Sequence, residues 1–333
     1  MKFGLIPVFF FLGGSLISCS DAPKPFDPAS ALEKSVSGQN AYDHVKALVG
    51  FGPRPAGSKA LERSRLYLIE QLAQVGWTTQ RQTFTAQTTQ GEIEFTNLRA
   101  RFGEGRWNEK VSGLLCSHFD TKLYTRFEFV GANDGGSSTG LLVELARVLQ
   151  TRPDLAEELE LVFFDGEEAF GPNITPRDGL YGSKHYAKEL LMVQDLIPDW
   201  GILLDMVGDK DLKIRAGVQI PGSSIKDLAK AREEDGYTVD MRAVQATVQE
   251  MSRHLLSAAE DLDVRKEVGI SPDYIIDDHI PLNVVAGIPA IDLIDFDFPY
   301  WHTPGDTLDK ISAESLAISG RVTLQLVEKY LFQ

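Results

Sequence analysis

The sequence predicts a protein of the α/β class, and three observations carry that expectation. Short apolar runs alternate with amphipathic stretches, the pattern of strands buried beneath helices. Four of those runs, residues 113–116, 159–164, 201–204 and 288–294, look like buried strands. Polar, chemistry-bearing residues follow the runs closely, as they do at the carboxyl ends of strands in open α/β sheets. A helix is expected over 138–150, where Leu141, Leu145 and Leu149 fall on one face with Leu142 and Ala146 beside it. Further helices are expected over 183–192 and 313–331. Residues 210–273 are more polar and less regular, and read as an insertion or a set of surface helices.

Length and composition suit one large α/β unit. The 333 residues are 43% hydrophobic and 24% charged, enough to bury a sizeable core. The formal charge of −15 argues against a nucleic-acid partner, which requires a basic surface. The N-terminus carries Lys2 and then the apolar run from Leu5 to Leu12, the two parts of a secretory signal that is too short to span a membrane. It ends in Leu16-Ile17-Ser18-Cys19, which resembles a bacterial lipobox, so residues 1–18 are expected to be a lipoprotein signal peptide and Cys19 the lipidated residue. Residues 19–40, rich in Pro, Ser and charge, are expected to tether the lipid to a folded unit spanning 41–333. The expected location is therefore the cell envelope, with a lipid anchor in a bacterial membrane, in the periplasm or at the cell surface. The sequence holds two cysteines; with Cys19 acylated, Cys116 has no intrachain partner and reads as a small buried residue.

The polar residues near strand ends form the candidate site. The first run leads into His118-Phe119-Asp120, and Gly131-Ala132-Asn133-Asp134-Gly135-Gly136 precedes the next helix. The second ends in Asp165-Gly166-Glu167-Glu168, the third in Asp205-Met206-Val207-Gly208, and the fourth leads to Trp301-His302-Thr303. Catalytic zinc takes three protein ligands from His, Asp and Glu and leaves one position open; Asp134, Glu168 and His302 can supply those three. Adjacent residues of a near-extended segment point in opposite directions, so one member of the Glu167-Glu168 pair can ligate while its neighbour stays free as a general acid/base. A free carboxyl near other carboxylates and partly out of water has a raised pKa, which suits proton transfer near neutrality.

These segments together resemble the M28 metallopeptidase-like family and, within it, the glutaminyl-peptide cyclotransferases. The resemblance runs from about Ala41 to the end. It rests on Phe51-Gly52-Pro53-Arg54-Pro55-Ala56-Gly57-Ser58, Phe163-Phe164-Asp165-Gly166-Glu167-Glu168-Ala169-Phe170, Leu180-Tyr181-Gly182-Ser183-Lys184-His185, Asp277-Asp278-His279-Ile280-Pro281 and Trp301-His302-Thr303, in that order. The loop from Asn133 to Ser138 is more glycine-rich than the cyclase pattern, and Gly171-Pro172-Asn173-Ile174 lacks the tryptophan that animal cyclases carry there.

The resemblance implies a three-layer αβα sandwich with a mixed central β-sheet, like that of zinc aminopeptidases. It implies one Zn2+ per chain on Asp134, Glu168 and His302, with Glu167 as proton shuttle. Asp205 and Asp277 would complete an acidic network, and Trp301 and Phe298 would line the pocket for the N-terminal glutamine of a peptide or protein. The implied reaction closes the glutamine to pyroglutamate and releases ammonia, with Asp205 steadying the leaving group. His118 and Asp205 are the positions at which aminopeptidases of the family hold a second metal. A two-zinc aminopeptidase is accordingly the alternative.

Overall fold

The computed structural model describes residues 26–220, 226–234 and 236–332, together with Met1. Cys19 and the expected signal peptide lie outside the described residues. In chain order the elements are helices α1 (Gly38–Gly50) and α2 (Lys59–Gln74), strands β1 (Trp77–Thr88), β2 (Gly91–Phe102) and β3 (Gly113–His118), then helix α3 (Gly136–Leu149) and the single turn α4 (Pro153–Ala156). Strand β4 (Leu159–Phe164), helix α5 (Tyr181–Leu191), and strands β5 (Trp200–Asp205) and β6 (Ile214–Ala216) follow. Helices α6 (Lys226–Glu234) and α7 (Met241–Asp261), strand β7 (Val268–Ile270), the short turn α8 (His279–Pro281), strand β8 (Ala290–Ile294) and helix α9 (Ala313–Leu326) complete the chain.

The central sheet has six strands in the order β1-β2-β4-β3-β5-β8. Strands β4, β3, β5 and β8 are parallel, and β1 and β2 add an antiparallel edge. The mixed sheet and its two helical layers agree with the three-layer αβα expectation. The parallel strands are buried along their whole length because both faces are covered. Leu115, Leu161, Phe163, Ile202 and Leu204 face one core, under α1, α3, α7 and α9. Leu114, Cys116, Val162, Phe164 and Leu203 face the other, under α5 and residues 282–290. This period of two within continuous apolar runs made the four strands legible in the sequence.

The β1–β2 hairpin and the β6–β7 pair were not expected, whereas helices were one of the two readings of the stretch 210–273. The β1–β2 hairpin pairs over its full length, from Trp77↔Phe102 to Thr88↔Gly91, yet its threonines, glutamines and charged residues gave no apolar run. The polar stretch 210–273 holds a small parallel pair, β6 with β7, and the long helix α7. Helix α7 buries Val244, Val248, Met251 and Leu255, a spacing of three and four that the sequence did display. The closing helix ends at Leu326 and continues as a wider π-type turn to Leu331.

The expected tether over 19–40 is too long at its C-terminal end. Ala31 and Leu32 are buried; Leu32 N donates to Glu328 Oε2 at 2.8 Å, and Ser37 N donates to Glu144 Oε1 at 2.7 Å. The packed unit therefore begins ahead of Ala41, because carboxylates on α3 and after α9 capture the backbone amides of this segment. No helix among the described residues is long and apolar enough to cross a membrane.

Candidate metal centre and active site

The site lies at the carboxyl edge of the four parallel strands. From β3 the chain crosses to β4 on one side, and from β5 it continues to β8 on the other. The crevice between β3 and β5 is thus the switch point at which open sheets bind ligands. His118 is the last residue of β3 and Asp205 the last of β5, and their side chains meet there, Nε2 to Oδ1 at 3.1 Å. Asp134, from the loop before α3, lies 3.3 Å from the same His118 Nε2. His302, from the loop after β8, places Nε2 3.3 Å from Glu168 Oε1 and 3.4 Å from Asp134 Oδ2.

Two groups of three result, His118–Asp134–Asp205 and Asp134–Glu168–His302. In each, the possible ligand atoms lie within 4.8 Å of one another. Asp134 belongs to both, and its Oδ2 is buried without a hydrogen-bond partner. A buried carboxylate oxygen is seldom left in that state unless a cation satisfies it. Histidine and carboxylate donors suit a divalent metal of the zinc type.

The ligand loops are held by carboxylates that accept pairs of consecutive amides. Asp120 accepts from the amides of Glu167 and Glu168 at 3.1 and 3.3 Å. Asp306 accepts from those of Asn133 and Asp134 at 2.7 and 3.0 Å. Asp178 accepts from those of Phe170 and Gly171 at 3.0 and 2.8 Å, which fixes the loop leaving the pair. Buried Arg54 of the opening motif donates to the carbonyls of Val130 and Gly131 at 2.8 and 3.1 Å, anchoring the loop that leads to Asp134. The glycine-rich loop has a steric cause. Gly135 has φ of 72°, and a Cβ there would come within 2.6 Å of Asp120 O and 2.9 Å of His118 Cε1. His302 and Met206 adopt φ of 56° and 46°, left-handed values that cost a non-glycine residue about 1–2 kcal/mol. Such strain clusters where function requires a particular aim.

The pair Glu167-Glu168 divides. Glu168 faces His302 and the buried Lys122, whose Nζ lies 3.3 Å from its Oε2 and donates to Ala169 O at 2.7 Å. Burial opposes ionisation of Glu168, but His302 and Lys122 outweigh it and hold its pKa below the ordinary value. Glu167 turns the other way, 3.9 Å from His118 Nδ1. Burial, reinforced by Asp277 and Glu168 against the opposing His118, holds its pKa well above the ordinary value. Burial together with Glu168 pushes Asp134 up to about 6. Asp277 is likewise held well above the usual range, by burial and then by Asp205 and Asp278. Neighbouring carboxyls driven in opposite directions mark an acid/base assignment.

Asp134, Glu167, Glu168, Asp205, Asp277, Trp301 and His302 all line one cavity of about 270 Å³. Phe298, expected on its wall, is instead buried in a small cluster with Met206, Ile275 and Ile294. Phe296, two residues earlier, lines the cavity, because the turn after β8 directs Phe298 inward. Trp301 stacks on His302 with ring centroids 4.1 Å apart. Sequence reasoning passed over Lys122, Asp306 and the double acceptance by Asp120. Asp120 and Lys122 stood two and four residues beyond His118, and a charged residue at a buried strand end was their signal. Asp278 and His279 are buried behind the site; Asp278 accepts from Ser183 Oγ, and burial lowers His279 to about 3.

The sequence matches Peptidase family M28 over residues 97–327. It is 29% identical to a glutaminyl-peptide cyclotransferase of Drosophila melanogaster, over 80% of this chain and 75% of that one. The crystal structure of an Acidobacteriales bacterium glutaminyl cyclase is 30% identical, covers 92% of this chain and 97% of its own, and superposes with a TM-score of 0.70. A Zn-dependent exopeptidase of Parabacteroides distasonis, 26% identical, covers 88% and 98% with a TM-score of 0.71. With its ligand-bearing loops at the carboxyl edge of the mixed sheet, the chain belongs to peptidase family M28.

Proposed function

We propose that this protein cyclises the N-terminal glutamine of peptides or proteins to pyroglutamate and releases ammonia. The observation that carries the reading is the division of Glu167-Glu168, one carboxylate beside His302 and Asp134 and the other free, buried and raised in pKa. The likeness to glutaminyl cyclases supplies the reaction class.

Asp134, Glu168 and His302 would hold a single zinc ion, which supplies Lewis acidity at the side-chain amide carbonyl of the substrate. The chain's own residues do the rest. Glu167 accepts a proton from the substrate α-amine as that nitrogen bonds to the carbonyl carbon and closes a five-membered lactam. Glu167 then returns the proton to the amide nitrogen, the carbon–nitrogen bond breaks, and ammonia leaves. Asp205 and Asp277 flank this path, and Asp205 steadies the departing ammonium. The attacking amine is tethered to its target, so orientation replaces an enzyme nucleophile. Trp301, stacked on His302, forms the wall beside the bound glutamine.

The deciding measurement is ammonia release from a short Gln-initiated peptide, with and without a chelator. Turnover no faster than the uncatalysed rate would sink the reading. A second reading, a two-metal aminopeptidase, draws on the group His118–Asp134–Asp205 and on Asp120, 3.6 Å from His118 Nδ1, where a carboxylate commonly orients a metal-bound histidine. It requires two metal ions per chain and release of a first amino acid from peptide anilides.

The proposed setting is the bacterial cell envelope, with Cys19 acylated and the domain tethered to a membrane. The lipobox-like Leu16-Ile17-Ser18-Cys19 after an apolar run supports it. Partition of the wild-type protein into detergent, with a Cys19→Ala variant remaining aqueous, is the expected result.

A further inference from the structure

A second cavity, of about 350 Å³, shares no lining residue with the metal site. A space of that size takes a small organic molecule. Arg99 and Arg101 stand two residues apart on β2, so they point to the same face of the sheet, and both line this cavity. Their guanidiniums share one buried carboxylate: Glu160 accepts from Arg99 Nε and Nη2 at 2.6 and 3.0 Å and from Arg101 Nε at 2.6 Å. Burial opposes ionisation of Glu160, but the two arginines outweigh it and hold its pKa below the ordinary value. Two cations on one anion leave a positive charge over. Arg101 is only 5% exposed, and its Nη1 donates to the carbonyls of Arg106 and Glu109, both at 2.6 Å. Among the described residues no acceptor engages its Nη2. A charged donor so far from water is costly to leave without an acceptor. The rest of the lining is largely apolar. Trp107 lies beside both guanidiniums, its ring centroid 5.2 Å from Arg99 and 5.4 Å from Arg101, and Leu190 and Met192 stand on the helix side. Among the described residues Glu189 is the one acid on the lining; it is 54% exposed and accepts from Gln82 Nε2 at 2.5 Å, so water and that amide screen its charge.

We infer that this cavity is a binding site for a carboxylate carried on an apolar body, with Arg101 Nη2 donating to the carboxylate and Trp107, Leu190 and Met192 covering the body. One surplus positive charge and one open guanidinium nitrogen match a monoanion. A dianion such as phosphate would meet Glu160 and Glu189 with its second charge uncompensated. Met192 is 74% exposed, and an apolar group laid against it and Leu190 removes both surfaces from water. The site is separate from the proposed cyclisation. Helix α5 starts on the Glu167 loop, where Leu180 N and Tyr181 N donate to Glu167 O and Gly166 O, both at 2.8 Å. The cavity is reached toward the other end of its 11 residues, a length of about 16 Å. Two sources carry this chemistry, a free organic acid and the C-terminus of a peptide.

The test titrates 3-phenylpropionate and acetyl-Ala-Phe, each beside its uncharged amide, into the zinc-loaded protein by calorimetry. At least one acid should bind about tenfold or more tighter than its amide, the effect of a hydrogen bond to a charged group. Trp107→Ala should abolish that binding. Met192→Glu, which sets a like charge at the opening, should weaken it about fivefold, and Glu189→Gln should tighten it by a similar factor. None of these three residues lines the metal site, and metal content and melting temperature check that each variant is folded. Binding of phenylpropionate alone supports the site with a free acid as its ligand; binding of the peptide acid supports it with a chain terminus. Acids that bind no better than their amides would overturn the inference. So would binding untouched by Trp107→Ala and Met192→Glu, since the acid would then sit on the metal. Weakening by Glu189→Gln would overturn it as well, because an ammonium group would then be what the cavity recognises.

Discussion

The two groups around Asp134 differ in how they are built. His118 and Asp205 sit at the ends of adjacent central strands, are almost wholly buried, and are backed by Asp120. Glu168 and His302 come from loops, and His302 faces the cavity with 17% of its side chain exposed and a left-handed backbone. The enclosed group is held by the sheet, whereas the open one is held by carboxylates that grip loop amides. All three members of the open group line the cavity, whereas in the enclosed group Asp134 and Asp205 reach it and His118 does not. One fold thus brings a strand-end cluster and a loop-borne cluster together on the shared Asp134, the first fixed by the sheet and the second by hydrogen bonds to loop amides.

The sharpest way to break that comparison is to remove one ligand from each side. His302→Ala should lose the metal and fall to the uncatalysed rate, while His118→Asn should retain one equivalent by elemental analysis. Loss of one of two equivalents in the His118 variant would instead place a metal in the enclosed group. That variant should also lower stability by about 3–5 kcal/mol, since it leaves buried carboxylates without their partner; denaturant melts measure this. Next in size, Glu167→Gln should reduce kcat by about 10²–10⁴ with metal content unchanged, because only the proton acceptor is lost. Asp120→Asn presents one acceptor oxygen to two amides and should cost about 10–100-fold in activity or metal affinity. The smallest effect is in the pH profile. Glu167 must be ionised to take the proton, and burial raises its pKa above the ordinary 4.5. Activity should therefore fall as pH drops through a value above 4.5, and a limb at or below it would show that Glu167 is not the base.

Much of this was legible beforehand. The four parallel strands announced themselves as apolar runs because both faces are covered, and the site residues stood near their carboxyl ends. The β1–β2 hairpin stayed hidden because an edge hairpin alternates toward solvent and is rich in Thr and Gln. The start of the packed unit was misplaced because Leu32 and Ser37 are secured by carboxylates 296 and 107 residues away. The wall residue was misplaced because Phe296 and Phe298 are chemically alike and only the turn distinguishes them.

By itself, the sequence determined which chemical groups exist and the order in which strands deliver them. It also determined that Glu167 and Glu168, as neighbours in an extended segment, can face different partners. Tertiary structure decided which faces what: Glu168 toward His302 and Lys122, Glu167 toward His118, and Asp120 and Asp306 beneath the loops. The reason is physical. Residue type and local geometry are set along the chain, but burial, and the charges that raise one carboxyl and lower its neighbour, arise only when distant segments meet at the edge of the sheet.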